Sequence, residues 1–474
     1  MKKHFHESYQ LIVTNKKMKM KKSILTVAAA LLLCSTTFGQ FRATDKTGIN
    51  VFEMPKTETQ FNGIKVDLGG SFTQGYQTLD HSNADKNGAN KRLVAGVDQN
   101  LLTPIISNFN LAAANLYLNT QLADGVALNL TMYLASRHHN ETWVKGGYIQ
   151  FDKVPFMHLD FLDNLMKYTT VKVGEFDVNY GDAHFRRSDG GNTIYNPFIE
   201  NYIMDEFSTE VGAEADFQYN GFLGVAGITD GELKGDINYV APTPGASNGV
   251  HKPAFLAKVG YDKQLNEDLR VRLTGSVYYT AGSVANTLFG GDRTGSNYFG
   301  VIDINPPSTS NAFSGRYNPG LTDKLTTAMG NLFVKCHGLE WFTTIESAKG
   351  RALRETTGDR TASQFATDLV YRFGKDENFW VGGRYNTLSA DVPPTAAVAA
   401  VAPAGAVKET TGVPAIAAYT GKINRWAVSA GWFLTKNVMT KVEYVNQDYK
   451  NFAASTIYNG ANFKGFVLQA VVGF

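Results

Sequence analysis

The chain has 474 residues, 43% of them hydrophobic and 12% aromatic, with 46 glycines and only 14 prolines. A mean hydropathy of −0.20 excludes a helical membrane bundle, and past the N-terminus no apolar run reaches the ~18 residues that a spanning helix needs. The formal charge is +2, but the first 39 residues hold seven lysines and one glutamate; the remainder is therefore at −4 and carries no basic footprint for nucleic acid.

Lys19, Lys21 and Lys22 precede an apolar core from Ile24 to Leu33, and Thr37-Phe38-Gly39 supplies the small residues of a signal-peptidase site. Cleavage is expected before Gln40. Residues 1–17 lie ahead of this pattern and contain His, Glu and Tyr, so Met18 or Met20 is a candidate start. The expected organisation is a leader and signal peptide over 1–39, an N-terminal periplasmic or plug-like segment over 40–62, and the folded body over 63–474. Cys34 follows Leu31-Leu32-Leu33 and lacks the small residue that precedes a lipidated cysteine. Only Cys336 remains after cleavage, which excludes an intramolecular disulfide.

The body reads as strands with strict alternation. Val126, Leu128, Leu130, Met132 and Leu134 interleave with Ala127, Asn129, Thr131 and Tyr133. Val211, Ala213, Ala215 and Phe217 alternate with Glu210, Gly212, Glu214 and Asp216. Leu269, Val271, Leu273 and Val277 alternate with Arg270, Arg272, Thr274 and Ser276. A period of 2 would scatter these apolar residues round a helix, whereas a strand gives one face to lipid and one to a lumen. Strands are predicted near 63–76, 110–122, 125–137, 141–153, 169–178, 207–219, 221–230 and 253–262. The rest are near 268–281, 326–336, 339–349, 362–374, 378–388, 421–434, 437–450 and 461–474.

The connections alternate in length. Ala123-Asp124-Gly125, Asn220-Gly221, His337-Gly338 and Thr435-Lys436-Asn437 are tight, and each follows an even-numbered strand. The long connections near 77–109, 179–206, 231–252, 282–325 and 389–420 all follow odd-numbered strands. Val154 to Tyr168, on the tight-turn side, carries Phe156, Leu159, Phe161, Leu162 and Leu165 in the pattern of a short interfacial helix. The last strand, Phe466 to Phe474, ends on an aromatic residue. The fold class is therefore all-β: a transmembrane antiparallel β-barrel of about 16 strands, with short periplasmic turns and long external loops.

By this count Val171-Lys172-Val173-Gly174-Glu175-Phe176-Asp177-Val178-Asn179-Tyr180-Gly181-Asp182 leads into the third external loop, which continues as Ala183-His184-Phe185-Arg186-Arg187-Ser188-Asp189-Gly190-Gly191. This stretch resembles the loop that folds into the lumen of general porins. Through its Val-Gly-Glu-Phe and Tyr-Gly run, and the following Glu210-Val211-Gly212-Ala213-Glu214, the chain resembles the phosphate-selective porins of the outer membrane. The likeness covers the whole body loosely and is specific only between Val171 and Glu214. It implies a channel narrowed by the third loop, assembly as a homotrimer, and recognition of the terminal Phe474 by the barrel assembly machinery.

A constriction requires opposed charges across a narrow aqueous gap. Asp177, Asp182, Arg186, Arg187 and Asp189 supply both signs in one loop. Lys172, Arg270, Arg272, Arg372 and Arg384 on the wall face Glu210, Glu214, Asp216 and Asp368. The plain alternative for each is an ordinary lumen charge in a salt bridge that ties loop to wall. A phosphate-selective pore should show bases unmatched by acids, so the acids here argue against strong anion selectivity. No catalytic constellation, metal set or cofactor motif stands out. His81-Ser82-Asn83 is contiguous and cannot form a relay across a strand, and His138-His139 reads as a solvated loop. The expected partners are outer-membrane lipid and small hydrophilic solutes or ions. A closed barrel with a structural or adhesive role, binding a partner through loops such as the Ala/Val/Pro-rich 391–419, is the alternative.

Overall fold

The computed structural model describes residues 41–56, 61–85, 91–94, 97–110, 112–135, 142–233, 237, 251–291, 293–307, 314–397 and 415–474. His138, His139 and residues 398–414 of the Ala/Val/Pro-rich loop lie outside the described residues. The barrel unit takes in Arg42–Lys56 and Gln60–Phe474.

Sixteen strands form its wall. They are β1 (Lys65–Ser82), β2 (Ala113–Ala123), β3 (Val126–Ala135), β4 (Trp143–Phe151), β5 (Thr169–Asp177), β6 (Thr209–Tyr219), β7 (Phe222–Thr229) and β8 (Ala254–Gln264). The second half comprises β9 (Leu269–Thr280), β10 (Lys324–Cys336), β11 (Leu339–Arg351), β12 (Arg360–Phe373), β13 (Phe379–Val392), β14 (Tyr419–Phe433), β15 (Val438–Lys450) and β16 (Asn462–Gly473). Each strand pairs antiparallel with its sequence neighbours. β1 closes the sheet: Lys65 to Thr73 pair with β2, and Ser71 to Ser82 pair with β16. A two-residue ladder, Asn108–Phe109, prolongs β2 along Tyr76 and Gln77.

All sixteen predicted strands are present. The largest boundary difference is in β1, which continues to Ser82 although the apolar alternation stops at Tyr76. Beyond that point the outward residues are Thr78 and Asp80, while Gln77 and Leu79 stay buried inside. The strand has left the apolar belt and projects into water, where hydropathy carries no signal. The Asn220-Gly221 turn has φ of 50° and 88°, the left-handed pair that a two-residue hairpin needs. Between β4 and β5 lies helix α1 (Asp160–Met166), with Phe161 exposed on it and Phe156 and Leu159 exposed just before it.

The outward alternates are exposed and apolar: Val259 at 68%, Ile345 at 62%, Val428 at 55% and Leu369 at 54%. Exposed aromatics gather at the tight-turn end, where Tyr168 meets Tyr219, Phe222 meets Tyr261 and Phe373 meets Phe379. Among the described residues every wall strand pairs with a neighbour on both sides, and the apolar face suits hydrocarbon rather than water. The protein is an outer-membrane β-barrel.

Candidate functional site

Among the described residues, three segments fill the middle of the lumen. A crossbar, Arg42–Lys56, runs across the tight-turn end. Loop L3 (178–208) leaves β5 and folds inward to the middle, and the described residues of loop L5 (281–291, 293–307 and 314–323) cover it from the outer side. Every residue from 190 to 210 is buried. Gly191 permits a close approach of the two backbones: a Cβ there would lie 2.4 Å from the Ala114 Cα of the wall. On the far side Ile194, Phe198, Ile199, Ile203 and Met204 pack with Trp380, Leu388, Ile423, Ala427 and Val445 of β13–β15. Among the described residues, the space between L3 and the wall beside Arg186, Tyr202 and Arg384 is about 10 Å³, and that between L3, L5 and β1 is about 30 Å³. These spaces admit a water or two. A cleft of about 570 Å³ lies at the tight-turn mouth, lined by Lys46, Asn50, Arg270, Lys335, Arg372 and Glu377.

Of the predicted constriction residues, four lie within L3 and are tied to fixed partners. Asp182 accepts from Arg272 Nε at 2.8 Å and Nη2 at 2.7 Å, from Thr274 at 2.6 Å and from Lys258 at 3.1 Å. Burial alone would raise its carboxyl, but Arg272 and Lys258 hold it far below the usual range. Arg186 donates to Asn50 of the crossbar and lies 3.4 Å from Glu340 of β11. Arg187 grips Asp205 through two donors, at 3.1 Å and 2.6 Å, and its guanidinium stacks 3.8 Å from the Phe207 ring. Asp189 accepts from Lys145 and from Tyr133 Oη; burial opposes its ionisation, yet Lys145 and Arg187 lower it to about 2. Asp177 stands apart. Its register puts it on the outward alternate of β5 with Val173 and Glu175, and it is half-exposed, with Lys145 at 3.7 Å.

The predicted wall residues all take inward positions. Lys172 bridges Glu214 and Asp216, each at 2.9 Å. Glu210 accepts from Thr229 and Tyr278. Arg270 holds Asp262 at 2.7 Å, and Arg372 and Arg384 hold Glu340 and Asp368, each at 2.7 Å. These charges face the interior and, Glu210 apart, form ion pairs there, most of them within the wall; Arg272 pairs with Asp182 of the loop. Breaking such a buried pair from one side costs about 3–5 kcal/mol, although the intact pair adds little net stability.

Several residues of equal weight were not singled out from the sequence. Lys441 of β15 donates to three L3 carbonyls, Thr193 at 3.0 Å, Asn196 at 2.9 Å and Phe198 at 2.7 Å. Arg384 donates to the Glu200 carbonyl at 2.7 Å and Arg425 to that of Asn201 at 2.6 Å. The far wall therefore clasps the loop by its backbone. Glu443 accepts from the Ile199 N–H, and Arg316 of L5 reaches Asp205 at 2.6 Å. Inward position on an even strand alternation was the available signal for Lys441 and Glu443. Lys145 gave none, because a register shift in β4 turns it inward.

The crossbar enters the same network. Glu53 accepts from Lys258 at 3.1 Å and Arg272 at 3.0 Å; burial works against its charge, but these two cations bring it down to about 2. His81 is structural: its Nε2 donates to the Thr103 carbonyl while Nδ1 accepts from the Ile302 N–H, which fixes a neutral tautomer.

No described protein family and no curated protein matches the chain. Among solved structures it is similar to an anion-selective porin from Comamonas acidovorans, at 11% identity over 87% of this chain and 100% of that one, with a TM-score of 0.46. It is also similar to the outer-membrane-expressed OmpT of Vibrio cholerae, at 10% identity over 88% and 100% of the two chains, with a TM-score of 0.43. The outer membrane channel DcaP of Acinetobacter baumannii aligns at 11% identity over 87% and 98%, with a TM-score of 0.43.

Proposed function

We propose that the chain is an outer-membrane channel for passive diffusion of small hydrophilic solutes or ions, with L3 as its constriction, and that the filled lumen is its shut state. The observation that carries this reading is the way the wall charges are satisfied. Lys258 and Arg272 are neutralised by Asp182 and Glu53, Lys145 by Asp189, and Lys441 and Arg425 donate hydrogen bonds to loop carbonyls. Those partners belong to inserted segments that share no ladder with the wall, so their departure leaves a polar face that is stable only in water. Asp182, Arg186, Arg187 and Asp189 then set the narrowest point, whereas Asp177, on the outward alternate of β5, stands outside it. Lys172, Glu210, Glu214, Asp216, Arg270, Arg272, Asp368, Arg372 and Arg384 line the path. Both signs are present, which supports weak charge preference over phosphate selectivity. The reading includes export by a signal peptide cleaved before Gln40, recognition of Phe474 during assembly, and a homotrimer, which native mass in mild detergent checks.

Single-channel recording in a planar bilayer with a salt gradient tests the central claim. Stable steps that grow or change selectivity in Arg186→Ala and Arg187→Ala are expected; unchanged channels in both variants would remove the constriction role. A closed barrel with a structural or adhesive role is the second reading, favoured by the apolar inward residues of β13–β15 that pack against L3. It predicts silence from properly folded protein.

A further inference from the structure

The crossbar places a carboxylate of the chain itself in a basic recess of the wall. Glu53 meets Lys258 of β8 and Arg272 of β9, and the neighbouring Phe52 is 2% exposed. The Phe52 ring stands edge-on to Phe333 at 5.4 Å and Phe185 at 5.7 Å, with the Arg272 guanidinium 4.3 Å from its centroid. One guanidinium thus contacts both the ring and the carboxylate.

Charge counting shows what Glu53 does there. Lys258, Arg270 and Arg272 face Asp182, Asp262 and Glu53, and the set is neutral. Asp262 belongs to the wall and Asp182 to L3, which is clasped from every side. Glu53 alone belongs to the crossbar. That segment is held by its backbone, with Lys46 N–H donating to the Lys436 carbonyl at 2.9 Å, Arg270 to the Asn50 carbonyl at 2.9 Å and Gln218 to the Met54 carbonyl at 2.9 Å, and by side chains, with Asn50 donating to Glu340 and Lys56 to the Asp152 carbonyl at 2.8 Å. It forms no strand with the wall, so it can withdraw without breaking the barrel ladder. Withdrawal leaves one uncompensated cation in a recess walled by aromatic rings, a state that demands an anion of the same shape.

We propose that the Lys258–Arg272 recess is a binding site for a small carboxylate solute, and that Phe52 and Glu53 of the crossbar are its built-in occupant, so that solute and crossbar compete for it. The channel reading enters only as the route by which the solute arrives. Every other contact follows from the recess itself.

Acetate is the probe, with binding read by saturation-transfer NMR on the folded full-length barrel in detergent. Phe52→Ala/Glu53→Gln empties the recess while keeping Lys258 and Arg272. It is expected to bind acetate about tenfold more tightly than the unsubstituted protein, whose free-recess fraction is small. Adding Arg272→Gln, or Lys258→Gln should the first variant fold poorly, is expected to abolish that gain. Equal acetate signals in all these proteins, or none in Phe52→Ala/Glu53→Gln, would overturn the proposal. The same variants in a bilayer separate the two claims. Acetate binding with electrical silence upholds the recess and defeats the channel, whereas conduction without acetate binding does the reverse.

Discussion

Replacing Asp182 with Asn tests whether ion pairing holds L3 in the lumen. The carboxylate is fully buried, with four donated hydrogen bonds from Arg272, Lys258 and Thr274, and its own N–H donates to Asn331 at 2.9 Å. Asn keeps the shape but removes the charge and turns one acceptor into a donor facing Arg272. Lys258, Arg270 and Arg272 are then opposed only by Asp262 and Glu53. Unpairing a buried charge costs about 3–5 kcal/mol. With about 1.4 kcal/mol per tenfold, the population with L3 released should rise by roughly two to four orders of magnitude. Trypsin reads this directly, because its sites at Arg186 and Arg187 are 3% and 4% exposed in the folded barrel. Where reclosing is faster than cleavage, the cutting rate tracks the open population. Asp182→Asn should therefore be cut in L3 far faster while the barrel keeps its folded gel mobility. A folded variant cut no faster than the unsubstituted protein would refute the argument that these ion pairs hold the loop.

Glu206 gives the opposite sign. Burial first, then Glu346 and Asp205, push its carboxyl well above the usual range. Its contribution to L3 docking is thus complete below an unfolded pKa of about 4.3 and is lost as pH rises through the folded value. Tryptic cutting of L3 should accelerate with rising pH, and Glu206→Gln should flatten that rise; an unchanged profile would dismiss the group. Glu53 and Asp189, both brought down to about 2, act in acid: their contribution is present above about pH 4 and is lost as pH falls toward 2. Crossbar and L3 should loosen together over that window, read by acid-protease cutting. On the lipid face, Val428→Arg should cost about 2–4 kcal/mol near the midplane and lower the folded fraction in vesicles. A normal yield would displace Val428 from the bilayer.

The wall was legible because lipid on one side and a lumen on the other impose a period of 2 on each strand separately, as in Val126 to Leu134. Helix α1 was legible for the same local reason, through Phe156, Leu159 and Phe161. Strand ends outside the membrane were not, since nothing apolar marks Thr78 to Ser82. The interior was half legible. Arg272 and Arg384 could be placed as inward from their own strand, but their partners Asp182 and the Glu200 carbonyl come from a loop whose path is set by contacts with all sides at once. The weight of Lys441 is invisible locally for that reason: it depends on three carbonyls some 240 residues earlier in the chain. Residues 42–56 gave the weakest signal of all, because Phe52 and Glu53 gain meaning only from Arg272.

The seam between β1 and β16 bears on how the molecule is made. Its twelve residue pairs join the first strand to the last, nearly the whole chain apart, and no earlier pairing substitutes for them beyond Thr73 and the short Asn108–Phe109 ladder. Bringing such distant ends together costs about 5 kcal/mol in chain entropy for a flexible connection, before a constant term. Closure therefore cannot precede the synthesis of β16. A polypeptide that stops short of Asn462 leaves β15 and the outer half of β1 as two long unpaired edges, templates for aggregation with other chains. Completion of the barrel thus depends on β16, which joins β15 to β1.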